Sequence, residues 1–367
     1  MKISDIPSHD SAAFFTLAHV CEPNDALVNN ALRTMRPGEV LAALAHGGLR
    51  RQRKNAFTDR LSQFNLEREL EYTEHIGATF VTRGSVGWPR QLDSLEEESP
   101  WVLWSLGSAD SRVLAVKSLA IVGTRNCTSY GQSVARHWAA EVATMGVTVV
   151  SGGALGIDIA AHQGALDADQ PTVCVVASGV QARYPISNER VFARIIDNGV
   201  IVSESPPRES PRRQRFLTRN RIIAALTLGT LVIEASTRSG TASTATRAQA
   251  LGRPVMGVPG SIYSPQSEGI HSMIVEGSAV LTPSIGSVLR EIHCEVARAT
   301  PEATVPDWRS LSQRDLDVWE ALPRRGVCTV DSLPSVAHRT LSEVIASLTE
   351  LEIRGMAKPR DNGWQRC

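Results

Sequence analysis

An arginine-rich run between residues 208 and 221 is the part of the sequence with the clearest chemistry. It reads Arg-Glu-Ser-Pro-Arg-Arg-Gln-Arg-Phe-Leu-Thr-Arg-Asn-Arg, six arginines against one glutamate. Phe216 and Asn220 are interleaved with the cations, which suits phosphate contacts beside a surface on which a base can stack. Arginines at the start of a helix oppose the helix dipole unless an anion neutralises them. The run therefore favours a bound nucleic acid or other polyphosphate over a merely solvated charged face.

Small polar loops follow several predicted strands. The chain reads Gly-Thr-Arg at residues 123–125, Ser-Gly-Gly at 151–153 and Ser-Gly-Thr at 239–241. Glycine lets the backbone approach a phosphate, and the helix that follows each loop offers free N–H groups to an anion. Arg125 has no evident packing role at such a turn, so these loops are predicted to bind an anion rather than to act only as tight turns.

The familiar nucleotide-binding motifs do not match. Ser151 stands where a dinucleotide fingerprint needs its first glycine, and no acidic residue for a ribose occurs about twenty residues later. The sequence also has no Gly-Lys-Ser/Thr of a phosphate-binding P-loop. Bound NAD and ATP are disfavoured, and no cofactor is expected. Asp158 and Glu234 could act as general acid or base, but orienting arginines or capping helices suits them better.

The strands that would position these loops are short runs that are apolar throughout. They lie at residues 119–122, 147–150, 172–176, 200–202, 231–233 and 255–258. Helical patterns separate them, as at residues 130–145. Strands buried on both faces are typical of a parallel sheet with crossover helices, so the fold class is a doubly wound α/β sheet. Ligands of such sheets bind beyond the carboxyl ends of the strands, which places the loops at one functional edge.

The segments on either side of this sheet differ from it in character. Up to about residue 70 the apolar spacing is helical, and residues 77–106 are strand-like and rich in loops. Three short helical patterns follow the sheet, at residues 312–321, 330–336 and 340–350. Near its end the chain carries Asn362-Gly363, a strong hairpin signal. Helices followed by a hairpin predict a winged-helix module.

The last of these helical patterns carries glutamates but neither lysine nor arginine. Its Leu341, Val344, Ile345 and Leu348 follow helical spacing and are predicted to pack the core of the module. A helix that reads a DNA major groove needs cationic or amide side chains. The pattern favours a protein contact or a regulatory role over a grip on DNA.

Overall charge gives no hint of a partner, because 38 basic residues balance 38 acidic ones. Six scattered cysteines lack the spacing of a zinc site and fit a reducing compartment. The first residues lack the apolar core of a signal peptide, and no apolar run approaches a membrane span. These features predict a cytoplasmic protein with no membrane partner.

Ordered motifs between residues 119 and 281 resemble those of the DprA/Smf family of DNA-processing proteins. They include Ala-Ile-Val-Gly-Thr-Arg at 120–125, Ser-Gly at 151–152, Gly-Ile-Asp at 156–158, Tyr-Pro at 184–185, Arg-Asn-Arg-Ile-Ile-Ala at 219–224, Ser-Gly-Thr at 239–241 and Val-Pro-Gly at 258–260. A weaker likeness extends back to Trp88-Pro89. The resemblance implies a Rossmann-like sheet flanked by two smaller parts. The chain would then divide into an N-terminal helical domain (SAM or helix-hairpin-helix type) at residues 1–75, an extended Rossmann-like domain at 76–298, a linker at 299–307 and a winged-helix-like module at 308–367.

The resemblance also implies a function. The protein would bind and protect single-stranded DNA and load RecA onto incoming DNA during natural transformation or recombination, without catalysing a reaction. It would form a homodimer through the Rossmann-like domain. Carried over by position, the DNA pocket would use Gly123, Arg125, Ser151, Gly152, Phe216, Arg219, Asn220, Arg221, Ser239 and Gly240.

Some residues depart from the family pattern. Leu217-Thr218 replaces the usual Phe-Pro, and Ile186 stands where relatives often carry lysine.

The alternative function is a nucleotide-binding or nucleotide-hydrolysing enzyme of the related phosphoribohydrolase type. Those enzymes have a glutamate after their Gly-Thr loop, whereas Ala-Ser-Thr follows Gly240-Thr241 here.

A third possible function is that of a small-nucleotide sensor that neither loads DNA nor catalyses a reaction.

Overall fold

The computed structural model describes residues 9–46, 54–237, 240–294, 311–323, 326–360 and 363–366. Contacts divide the chain into two compact units, Met1–Glu295 and Val296–Cys367. None of the helices described in these ranges is long and apolar enough to cross a membrane.

One mixed sheet forms the centre of the first unit. Its described strands are β1 Thr79–Thr82, β2 Val102–Gly107, β3 Ser118–Val122, β4 Thr148–Ser151, β5 Thr172–Val175, β6 Val200–Ser203, β7 Thr230–Val232, β8 Val255–Gly257 and β9 Val280–Leu281. Their order across the sheet is β1-β2-β6-β5-β4-β3-β7-β8-β9. The seven strands from β6 to β9 in this order pair in parallel, whereas β2 pairs antiparallel with both β1 and β6. The α/β class with a mostly parallel sheet is confirmed, and each of the six strands expected from apolar runs lies within one residue of its predicted bounds.

Helices cover both faces of this sheet. They are α1 His9–Val20, α2 Ala26–Ala31, α3 Pro37–Ala45, α4 Lys54–Gln63, α5 Leu66–His75, α6 Ser111–Val116, α7 Ser129–Thr144, α8 Ile157–Asp167, α9 Glu189–Asn198, α10 Arg213–Leu226, α11 Thr241–Ala250, α12 Glu268–Val275 and α13 Ile285–Glu291. The buried core on one face includes residues of α10 and α11, and the core on the other includes residues of α1, α8 and α9. Within β5, Val173 and Val175 enter the first core and Cys174 enters the second. This alternation explains why the central strands are apolar at every position.

The order of the strands creates a switch point beside β3. From β3 the chain proceeds outward through β4, β5 and β6, returns through α10, and continues from β7 outward to β9 on the other side. The connections that leave β3 and β7 therefore diverge, which opens a crevice beyond their carboxyl ends. Ligands of open α/β sheets bind in such a crevice.

The second unit is small and mainly helical. Its elements are α14 Gln313–Ala321, α15 Leu333–Ala337, α16 Leu341–Ile353 and the antiparallel strands β10 Ala357–Arg360 and β11 Gly363–Arg366. Val344 and Leu348 are buried as expected, but Leu341 and Ile345 are about half exposed, so the prediction that these two pack the core is wrong. The inward face of α16 continues instead through Ser347 and Leu351, which share one helical stripe with Val344.

Candidate functional site

An open cavity of about 800 Å³ lies at the switch point. The loops after β3, β4 and β7 and the first turns of α10 and α11 build its walls, so it occupies the edge that the sequence predicted. The residues that line it are Val122, Gly123, Thr124, Arg125, Asn126, Ala154, Asp158, Tyr184, Pro211, Arg213, Phe216, Leu217, Arg219, Asn220, Ile223, Ser236, Gly240, Thr241 and Thr244.

Helix α10 presents one of its faces to this cavity. Arg213, Phe216, Leu217 and Asn220 line the cavity, and their spacing of three, four and seven residues places them on one side of a helix. The side-chain amide of Asn220 donates to the carbonyl oxygen of Gly240 at 3.3 Å. That bond joins the middle of α10 to the residue that precedes α11, so the two helices are held together at the same wall.

Two exposed arginines and two aromatic rings form the rim. The guanidinium of Arg125 lies 5.0 Å from the centre of the Phe216 ring, within range of a cation–π contact. The ring centres of Phe216 and Tyr184 are 6.0 Å apart. Arg213 is exposed, as is Arg125. The rim thus offers positive charge to phosphates next to aromatic faces on which bases can stack.

The floor of the cavity carries the buried cation of Arg219, which is only 5% exposed. Its Nη1 donates to the carbonyl of Gly152 at 2.8 Å and to the carbonyl of Val175. Those carbonyls lie at the carboxyl ends of β4 and β5, so one side chain ties two neighbouring strands together. Burial lowers the pKa of Arg219, while the nearby Asp158 carboxylate acts in the opposite direction.

Asp158 is also buried at the floor, at the start of α8. Burial raises the pKa of its carboxyl, whereas the charge of Arg219 and three hydrogen bonds from the backbone of the loops after β3 and β4 act in the opposite direction. The donors of those bonds belong to Gly123, Gly152 and Ala154. The carboxylate therefore holds the two loops in place, which agrees with a structural role.

Glu234 lies just beyond the end of β7 and supports another helix. Its Oε2 accepts from the Thr128 N–H at 2.8 Å, and its Oε1 accepts from the Thr128 hydroxyl at 2.5 Å. The Thr128 oxygen in turn accepts from the N–H of Gly131 and caps α7. Glu234 is thus used in helix capping, the role that the sequence favoured for it over acid–base chemistry.

Several arginines of the 208–221 run are already neutralised within the protein. Arg221 is 1% exposed and forms a two-pronged ion pair with Glu204, at 2.7 and 2.6 Å. Arg215 is buried between Glu22 and Glu209, at 2.9 and 2.7 Å. These placements favour structural roles, because their guanidinium donors already meet carboxylates inside the protein.

Three other residues of the predicted pocket, Ser151, Gly123 and Ser239, are not shown to contact a ligand by their placement. The Ser151 hydroxyl is buried and donates to the carbonyl of Ile121 at 2.6 Å, which ties β4 to β3 without reaching the cavity. Gly123 lines the cavity, but a Cβ there would lie 2.5 Å from Ile157. Close packing alone therefore requires glycine at this turn. Ser239 lies outside the described residues.

The structure brings most of the predicted pocket together. Gly123, Arg125, Phe216, Arg219, Asn220 and Gly240 line the main cavity, and Gly152 lines an adjoining pocket of about 50 Å³ together with Arg125, Tyr184 and Phe216. Arg221 and Ser151 line neither. Arg213, Tyr184 and Leu217 also line the main cavity, although they were not among the predicted pocket residues. The spacing of Arg213 from Phe216 and Asn220 on a helix was the signal that could have identified it.

Comparison with known proteins identifies the family. The model of the family described as DNA recombination-mediator protein A matches residues 79–293. The chain belongs to this family. The putative DNA processing protein DprA of Mycobacterium tuberculosis is 36% identical over 96% of this chain and 93% of its own length. The resemblance to the DprA/Smf family is thereby confirmed.

Two solved DprA structures resemble this one. The X-ray structure of DNA processing protein A from Streptococcus pneumoniae superimposes with a TM-score of 0.63 at 29% identity, covering 79% of this chain and 99% of that one. A structure of the protein from Helicobacter pylori, described for its single-stranded DNA binding mode, superimposes with a TM-score of 0.52 at 30% identity. It covers 58% of this chain and 94% of its own. The mixed α/β fold is therefore the fold of this family.

Proposed function

We propose that the cavity at the switch point binds single-stranded DNA. The observation that carries the proposal is the rim, where exposed Arg125 and Arg213 flank the rings of Phe216 and Tyr184. Phosphates would meet the guanidinium groups, and bases would stack on the rings. The described binding of single-stranded DNA by the H. pylori relative supports the same ligand class.

The aromatic rim favours a single strand over a duplex. A base inside a duplex is stacked on its neighbours and offers no free face, whereas an unpaired base can stack on a side chain. Stacking accepts every base, so the site would bind with little sequence preference. Buried Arg219 would add positive potential at the floor without leaving its carbonyl partners.

We further propose that the protein is a recombination mediator of the cytoplasm. It would protect the bound strand and load RecA onto it in transformation or recombination, acting as a homodimer through its Rossmann-like domain. Membership of the recombination-mediator family supports this role. The division into helical domain, Rossmann-like domain, linker and winged-helix-like module is part of the same proposal.

The proposal includes no catalysed reaction. Asp158 is held by backbone N–H groups of two loops and Glu234 by Thr128, so the two carboxylates that sequence offered as acid or base already have structural partners. Purified protein should not hydrolyse nucleoside monophosphates or triphosphates. Hydrolysis that disappears in Asp158→Asn would instead support the phosphoribohydrolase-like alternative.

Fluorescence anisotropy with labelled oligo-dT tests the binding proposal. Arg125→Ala, Arg213→Ala and Phe216→Ala should each weaken binding, and each lost arginine contact should flatten the log–log salt dependence by about 0.7. Arg112→Ala is the matched control, because Arg112 is exposed on α6, which leads into the amino end of β3 and so lies toward the opposite edge. Equal affinity and slope in all four variants would refute the assignment. Competition by mononucleotides alone, without oligonucleotide binding, would favour the nucleotide sensor.

A further inference from the structure

A second cleft, of about 340 Å³, lies between the N-terminal helices and the segment that precedes α10. We call it the N-terminal cleft. Five arginines line it: Arg60, Arg68, Arg208, Arg212 and Arg215. Three glutamates, Glu22, Glu69 and Glu209, line it as well. Cations thus exceed carboxylates by two in the lining, and an incoming anion would meet net positive charge.

The three glutamates do not neutralise all of the arginines in the N-terminal cleft. Glu69 contacts Arg68 at 3.0 Å, and Arg215 is buried between the other two glutamates. Arg60 is about half exposed, donates to the Val20 carbonyl and lies 3.9 Å from Glu22. It therefore has donors to spare for a ligand.

Arg208 carries the clearest sign of an available cation. Its guanidinium lies 3.5 Å from the centre of the Tyr72 ring. Within the described part of the chain, no carboxylate forms an ion pair with it. A cation–π contact leaves the N–H groups of an arginine free to donate to phosphate oxygens.

The N-terminal cleft and the main cavity are lined by consecutive residues of the chain. Arg212 lines the cleft, and Arg213, the next residue, lines the cavity. Consecutive Cα atoms are about 3.8 Å apart. A strand that extends beyond the main cavity could therefore place phosphates in both sites.

We infer that the N-terminal cleft is a second phosphate subsite, which binds the backbone of the single strand where it leaves the main cavity. The inference rests on the proposed function of that cavity. Arg60, Arg208 and Arg212 are the side chains that would contact the phosphodiester groups. The N-terminal helices would then form part of the DNA-binding surface.

Glu22 competes with the strand in this arrangement. Its carboxylate contacts Arg212 at 2.7 Å, and both side chains are about half exposed. Exposed ion pairs contribute little to stability, so a phosphate can displace the carboxylate from Arg212 at small cost. Buried Arg215, which also contacts Glu22, keeps Glu209 as a second partner at 2.7 Å. Removing the charge of Glu22 should therefore strengthen binding of a strand that reaches the cleft.

Oligo-dT of two lengths tests the inference in the full-length protein. One oligonucleotide of about 4 nucleotides would fill only the main cavity, and one of about 16 would span both sites. Arg208→Ala and Arg60→Ala should weaken the longer one by at least about threefold and lower its salt slope by about 0.7 each, while leaving the shorter one unchanged. Glu22→Gln should strengthen only the longer one. Arg125→Ala should weaken both, and Arg112→Ala neither.

The outcomes separate failure of the subsite from failure of the main site. If Arg125→Ala weakens both oligonucleotides but the cleft variants leave the longer one unchanged, the main cavity stands and the subsite is refuted. If the unchanged protein binds neither length, the proposed function falls and the subsite with it. The gain expected from Glu22→Gln is a result that loss of folding cannot imitate. An unchanged or weakened longer complex in that variant would also refute the subsite.

Discussion

The guanidinium of Arg221 meets the carboxylate of Glu204 in a buried two-pronged ion pair, with Nη1–Oε1 and Nη2–Oε2 distances of 2.7 and 2.6 Å. Two further donors of Arg221, on Nε and Nη1, are directed to the carbonyls of Glu98 and Thr218. This arginine, two residues from Arg219 in the most basic segment of the chain, therefore fastens α10 to the end of β6. Its charge is balanced inside the protein.

Arg221→Ala should reduce stability without weakening DNA binding by the folded protein. Truncation leaves the Glu204 carboxylate buried and unpaired, which costs about 3–5 kcal/mol in comparable buried pairs. Urea denaturation measures the loss, and anisotropy at a temperature where the variant is folded measures affinity. Arg213→Ala should behave in the opposite way, with near-unchanged stability and weaker binding. Weaker binding by folded Arg221→Ala would show that Arg221 contributes to DNA binding after all.

Gly152→Ala should disturb the floor of the cavity. A Cβ at this position would lie 2.2 Å from Nη1 of Arg219, which is hydrogen-bonded to the Gly152 and Val175 carbonyls. The guanidinium must move and leave buried groups unpaired, at a cost of about 1–3 kcal/mol. Denaturation should show this loss, and oligo-dT affinity should fall because the loop after β4 shifts. Gly38→Ala is the matched control, because Gly38 has a negative φ and open space for a methyl group. Gly146 would not serve, since its φ of +74° would strain any residue other than glycine. Gly38→Ala should leave affinity unchanged and should not lower stability, because alanine is favoured over glycine within a helix such as α3. A stable Gly152→Ala with normal affinity would contradict the account of the floor.

His162 should make the protein less stable in acid. The side chain is fully buried, contacts the Thr172 hydroxyl at 2.8 Å, and burial lowers its pKa from 6.5 to about 3. Between these two values the unfolded chain takes up a proton that the folded protein does not. The free energy of unfolding therefore falls as the pH drops from 6.5 towards 3, by up to about 1.4 kcal/mol per pH unit.

Denaturation series across this pH window check the assignment. His162→Asn keeps a donor for Thr172 but has no titrating ring, so its stability should depend less steeply on pH. His137→Asn is the matched control, since that side chain is 79% exposed on α7. Equal slopes in the unchanged protein and in His162→Asn would show that this histidine does not account for the acid sensitivity.

Local pattern was enough to predict the sheet and the edge that carries the site. Apolar runs located β3 to β8. The strand β2 lies almost entirely within the segment 77–106 that was described as strand-like, but neither its bounds nor its antiparallel pairing was predicted. Its pairing with β6 joins residues nearly a hundred positions apart, and strand pairing at that distance leaves no local signature.

The arginine-rich run at residues 208–221 shows what the sequence pattern could not predict. Helical spacing alone could have grouped Arg213 with Phe216 and Asn220 and separated them from Arg215. It could not have shown which arginines are neutralised, because the partners of Arg215 and Arg221 include Glu22 and Glu204, which come from other elements. Charge in a sequence reports what is present, and only the fold shows which charges reach solvent.

The second unit should contribute little to binding of a single strand. The last helix, α16, carries Glu343, Glu350 and Glu352 but no lysine or arginine between its first and last residues, and its exposed surface includes Leu341 and Ile345. Acidic side chains repel phosphate, and exposed apolar ones favour contact with a protein. Removing everything after residue 305 should leave oligo-dT affinity within about threefold, or roughly 0.6 kcal/mol. Circular dichroism and light scattering would first establish that the shortened protein is folded and keeps the oligomeric state of the full chain. A loss of tenfold or more in such a protein would instead make the second unit a DNA-binding site in its own right.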